Sequence, residues 1–182
     1  IESIAIVFMV LSGINFGLHF FALKEKALFH YFQDDEVVWY LLILATAILI
    51  VTLILVSHQV YEVPQAFRLA AFEVVSIFTT TGFATADFSV WPNMIPYLIF
   101  FGAFTGACAG STGGGMKVMR VMLIIKQGQR EIHRLIHPNA IFPIKINKRP
   151  VSNNVIEAIW GFFSFYVIIF LFLDLIMVSQ GM

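Results

Sequence analysis

The sequence predicts an all-α, polytopic membrane protein, and three observations carry that prediction. Hydrophobic residues make up 59% of the 182 residues and charged ones 12%, against roughly 45–50% and 25% in soluble domains. Four apolar stretches approach the ~20 residues that a helix needs to cross a ~30 Å hydrocarbon core. Two segments, SIFTTTGFATADF at 76–88 and GACAGSTGGGMK at 106–117, place hydroxyls and glycines where an uninterrupted membrane helix would carry neither.

Residues 1–23 form the first apolar stretch and 37–57 the second and cleanest. The third runs from about 91 to 125 and is interrupted at 106–117; the fourth runs from about 155 to 178. The basic residues orient them. Of the eleven Lys and Arg, eight fall between Lys117 and Arg149, Lys24 and Lys26 lie in the 24–36 connection, and only Arg68 lies in 58–90. By the bias of basic residues toward the cytoplasm, 24–36 and 126–152 are cytoplasmic and 58–90 faces outside, so successive helices alternate in direction. The net charge of zero adds nothing about partners. Lone Cys108 makes no internal disulfide, and Ile1 follows no basic run, so no signal peptide is expected. The chain reads as a piece of something longer.

The outer segment begins with a helix-compatible run, PQAFRLAAFEVVSIF at 64–78. Glu62 and Pro64 both suit a helix N-terminus. At 1.5 Å per residue this helix reaches only ~21 Å, too short to span. A short helix, then Thr79, Thr80, Thr81, Gly82, Phe83, Ala84 and Thr85, then a return to the same face is the pattern of a re-entrant pore loop. Irregular backbone at membrane depth is tolerated only where protein buries it or water lines it. Such a helix aims its partly negative C-terminus at the membrane centre, and successive carbonyls beyond it can replace the hydration shell of a cation. Gly82 supplies a backbone angle that side chains resist, and threonine oxygens suit hard cations. An ordinary exposed turn is the alternative, opposed by the apolar content of the preceding helix.

In sum, a transmembrane helix, a short pore helix, TTTGFATADFSVWP, and a helix broken at GACAGSTGGGMKVMR together resemble the Trk/Ktr/HKT superfamily of potassium-translocating subunits, closest to its bacterial TrkH/TrkG branch. The likeness covers essentially the whole chain, including GINFGLHF at 13–20 and AIWGFFSFY at 158–166. It implies helix, pore-loop, helix repeats of the potassium-channel-like type with a broken inner helix. By resemblance, residues 1–23 close one repeat and 24–36 form a cytoplasmic connection. Residues 37–125 are a complete repeat with its pore loop at 64–85, 126–152 a cytoplasmic linker, and 153–182 the opening helix of the next repeat.

The resemblance places Thr80, Thr81, Gly82 and Phe83 in the selectivity filter, with K+ at Thr80, Thr81 and Gly82. Asp87 falls at the external mouth, or alternatively caps the turn ahead of Trp91. The corresponding glycine-rich stretch in the family is an intramembrane gating loop, here Gly106, Gly110, Ser111, Thr112, Gly113, Gly114, Gly115 and Lys117. The alternative is a small-residue helix contact, since Gly102, Gly106 and Gly110 are spaced as GxxxG. A Walker A loop is excluded because Val118 follows Lys117. A nucleophile elbow is excluded because residue 109 is Ala, and no membrane-embedded His lies downstream to serve as its base, since His133 and His137 fall in the 126–152 connection. His133 and His137 are spaced i, i+4, but no third ligand completes a metal set; a basic helix face is the better reading.

The stretch KQGQREIHRLIHPNAIFPIKINKRP mixes charge with Ile and Leu at helical spacing and breaks at Pro138 and Pro143. The resemblance implies a nucleotide-binding regulatory subunit of the TrkA type docked on this face; a linker lying on the membrane surface is the alternative. Glu73 and Asp174 are the carboxylates within apolar runs, and Glu73 is placed behind the filter, where it can bond filter amides or threonine hydroxyls. The resemblance therefore implies K+ uptake through a channel-like subunit that pairs as a homodimer of the full-length protein, multi-pass in a bacterial inner membrane. No enzymatic chemistry, organic cofactor or nucleic acid is expected. A cation-coupled secondary transporter with a broken-helix site is the alternative.

Overall fold

The computed structural model describes residues 1–27, 29–92, 94–138, 140 and 142–180. It is almost wholly helical: α1 (Glu2–Ser12), α2 (Phe16–Glu25), α3 (His30–Gln33), α4 (Asp35–Ser57), α5 (Val63–Phe78), α6 (Met94–Thr105), α7 (Val118–Ile136) and α8 (Asn153–Ser179), with a short antiparallel pair, β1 (Lys145–Ile146) and β2 (Arg149–Pro150). The chain divides into two compact units, residues 1–121 and 122–182.

In the first unit α5 is the centre, packed against α1, α4 and α6. Its small face, Ala66, Ala70 and Ala71, lets neighbours approach, and Ala66, Ala70 and Val74 are fully buried. Pro64 lies in its first turn, where a missing amide costs nothing. The helix stops at Phe78, whose ring lies where a Cβ on Gly102 of α6 would be. Asp34 starts α4 by accepting from the amides of Glu36 (2.9 Å) and Val37 (3.2 Å).

Among the described residues, α4 and α8 are long and apolar enough to cross a membrane, and α1 with α2 qualifies only as a pair bent by 100°. The first stretch, expected as one helix over 1–23, is therefore broken. Gly13 ends α1, and Asn15 starts α2 by accepting from the Gly17 amide (2.7 Å). The third stretch is also divided: α6 is 12 residues long, residues 106–117 are irregular, and α7 continues past 125 to Ile136.

In the second unit, Lys126 of α7 bonds the Lys145 carbonyl (2.8 Å) and Arg130 bonds Asn153 at the start of α8 (3.0 Å). The β1–β2 hairpin turns at Asn147 and Lys148, both with positive φ. Helix α8 is apolar around its circumference and exposes Phe165, Ile168, Phe172 and Leu175, the composition of a helix meant for lipid or other helices. The last two residues of the expected 153–182 helix lie outside the described residues.

Candidate ion pathway

The segment after α5 is shaped by hydrogen bonds back onto the end of that helix. The Thr79 hydroxyl returns to the Val75 carbonyl (2.7 Å) and meets the Thr81 hydroxyl (2.8 Å). Thr80 takes a left-handed φ of 57° and Gly82 one of 80°; a side chain at 82 would be strained by its backbone even though no atom lies within 4 Å of a Cβ there. The amides of Thr81 and Gly82 both donate to the Ser76 carbonyl (2.8 and 3.3 Å).

That pairing decides where the carbonyls point. In a trans peptide the N–H and the preceding C=O are antiparallel. With the Thr81 and Gly82 amides turned onto α5, the carbonyls of Thr80 and Thr81 are turned away from it, toward the exposed side of the segment. Among the described residues the carbonyls of Thr80, Thr81 and Gly82 accept no hydrogen bond. The Phe83 carbonyl differs, since it accepts from the Ser76 hydroxyl at 2.5 Å. Residues 80–85 are exposed between apolar helices.

Glu73, fully buried in α5, fixes the far end. Its Oε1 accepts from the Thr85 amide (2.7 Å), the Thr85 hydroxyl (3.2 Å) and the Ala86 amide (2.9 Å). The carboxylate thus supports the outer return of the loop rather than residues 80–82. Asp87 accepts from the hydroxyl and amide of Ser89 (2.5 and 3.0 Å), which hold its carboxyl below the ordinary carboxylate range.

The glycine-rich stretch lies against this segment. Gly106, with φ 63°, ends α6, and a Cβ there would meet the Gly114 carbonyl. Gly106 and Gly110 are therefore outside any helix, so a GxxxG helix contact running through them is not formed. Gly113 packs against Ala107 and the Thr79 carbonyl, and the Gly114 amide donates to the Thr80 hydroxyl at 2.7 Å. The Lys117 ammonium bonds the Gly113 carbonyl and reaches the Ser111 hydroxyl (3.4 Å), so it is folded onto the loop itself. Ser111 in turn bonds the Cys108 carbonyl (2.6 Å). The α1–α2 break receives the rest: Cys108 donates to Gly13, Thr112 to Ser12, and Gly110 accepts from Phe16.

Sequence reasoning missed Glu36. By sequence it falls in the 24–36 connection, yet the residue is only 3% exposed and its Oε1 accepts from the amides of Ala109 (2.7 Å) and Met119 (3.1 Å). A carboxylate at the edge of an apolar run was the only signal available. His133, by contrast, lies against the Phe142 ring, and no group of three metal-ligating side chains occurs among the described residues.

Residues 1–181 match the family model described as TrkH, cation transport protein. The Trk system potassium uptake protein TrkH of Halomonas elongata is 52% identical over 93% of this chain and 35% of its own length. The protein of the same name from Escherichia coli strain K12 is 42% identical over the whole chain and 38% of its own length. The crystal structure of the potassium transporter TrkH from Vibrio parahaemolyticus superimposes with a TM-score of 0.94 at 41% identity, covering all of this chain and 40% of that one. The chain thus spans well under half the length of these relatives.

Proposed function

Because the chain belongs to the TrkH family of cation transport proteins, we propose that it supplies one of several walls around a K+ pathway in a longer uptake subunit. The relatives are named for potassium uptake, and the observation that carries the reading is the turning of the Thr81 and Gly82 amides onto Ser76, which directs the Thr80 and Thr81 carbonyls outward. Those carbonyls, with Gly82, take the place of water around a dehydrating K+. The C-terminus of α5 adds partial negative charge at the same point. Phe83 supports the segment because its carbonyl accepts from the Ser76 hydroxyl, which takes that carbonyl away from the ion.

The loop at 106–117 is the gate beneath this filter, with glycines that permit rearrangement and Lys117 holding its fold. In this reading residues 1–23, 37–125 and 153–182 belong to three successive repeats joined by cytoplasmic connections. The subunit lies in a bacterial inner membrane, pairs as a homodimer, and receives a regulatory subunit of the TrkA type on the face carrying 126–152. Flux of K+ and Na+ into liposomes containing the full-length protein tests it. Gly82→Ser, strained at its positive φ, should remove K+ preference while the protein remains folded. An unchanged preference would leave residues 79–85 as a mere turn, and flux that requires a second solute would make the protein a secondary transporter.

A further inference from the structure

One carboxylate oxygen ties together three parts of the first unit. Glu36 is the second residue of α4, and its own amide is fixed by Asp34 (2.9 Å). Its Oε1 accepts from Ala109 inside the glycine-rich loop and from Met119 in the first turn of α7. These two amides stand on either side of residues 110–115, the stretch that carries Gly114 up to Thr80. First-turn helix amides lack partners within their own helix, and an anion there also meets the positive end of the helix dipole. Bonds to an ionised acceptor are the stronger kind. The loop's ties to Ser12, Gly13, Phe16 and Thr80 join uncharged groups, while the cations of Lys117 and Arg120 bond acceptors within the loop, the carbonyls of Gly113 and Met116.

We propose that Glu36 is the latch of the glycine-rich loop, a positioning residue that holds both shoulders of the loop to the start of α4 and so sets its obstructing position. This rests on the gating reading above. With both amides on Oε1 the stretch 110–115 is tethered at each shoulder, and release of either amide frees it to move away from the pathway. The latch acts at the start of α4 and bonds Ala109 and Met119, not residues 80–82, so it governs how often the path is open and leaves ion preference alone.

The test uses the full-length protein in liposomes, with Cys108 as its sole cysteine. Cys108 is fully buried within the loop, next to Ala109, and reports loop displacement through its rate of reaction with a membrane-permeant maleimide. Glu36→Ala should raise both the Cys108 reaction rate and K+ flux several-fold with K+/Na+ preference unchanged. Glu36→Gln keeps an acceptor oxygen without the charge and should fall between. A folded Glu36→Ala protein with wild-type reaction rate overturns the latch; should that variant aggregate, an unaltered rate in Glu36→Gln overturns it equally. A raised reaction rate with unaltered flux upholds the latch and instead refutes the gating reading on which it was built.

Discussion

The Thr80 hydroxyl accepts a 2.7 Å hydrogen bond from the Gly114 amide, joining two residues 34 positions apart. Thr80 also offers one of the outward carbonyls, so a single hydrogen bond joins the candidate filter to the candidate gate. Loop displacement must break this bond.

Thr80→Val removes the acceptor while keeping the shape of the side chain. A neutral hydrogen bond is worth about 1 kcal/mol net, so the loop's closed position should weaken several-fold. Thr80→Ser should preserve it. Open probability in single-channel recordings of the two variants measures the difference.

Glu73→Gln replaces a charged acceptor of three hydrogen bonds by a neutral one. Bonds to charged groups contribute about 1.5–3 kcal/mol against about 1 for neutral ones, so the outer return at Thr85 and Ala86 should loosen. Reduced K+/Na+ preference with retained flux is the expected outcome in paired ion-replacement assays. Unchanged transport would remove Glu73 from the account.

Two glycines separate packing from backbone effects. A Cβ at Gly102 would overlap the Phe78 ring, whereas a Cβ at Gly128 of α7 meets nothing within 4 Å. Gly102→Ala should destabilise by about 1–3 kcal/mol through overpacking. Gly128→Ala should stabilise by roughly 0.5–1 kcal/mol through helix propensity. Thermal unfolding of the detergent-solubilised protein reads both.

Asp87 is held ionised by Ser89, its carboxyl lying below the ordinary range. A lowered value means that the charge persists as pH falls and is lost only on strong acidification, so attraction of K+ to the mouth should be flat between neutral pH and about pH 5. Asp87→Asn should slow uptake a few-fold at low ionic strength, and the effect should vanish in salt that shortens the screening length to about 10 Å or less. Initial uptake rates at several salt concentrations decide it.

What the sequence disclosed was local. The short α5, the irregular 79–87 segment and the broken inner helix follow from helix length, Pro64 and the density of glycine, all readable within one window. The break at residues 13–15 was hidden because Gly13 and Asn15 sit inside an apolar run, and only the folded chain shows Asn15 capping α2 and Gly13 receiving Cys108. Glu36 was hidden for a different reason: its partners lie 73 and 83 residues away, and no periodicity links a carboxylate to backbone amides at that distance. The direction of the Thr80 and Thr81 carbonyls was likewise set by Ser76, whose main-chain role leaves no mark on residue type.

The most direct measurement is the anomalous scattering of Rb+, a K+ substitute, soaked into crystals of the full-length protein. Cation peaks in contact with the Thr80 and Thr81 carbonyls, and none at the Phe83 carbonyl bonded to Ser76, are the result this account predicts. Ions found elsewhere on the pathway with residues 80–82 unoccupied would contradict it.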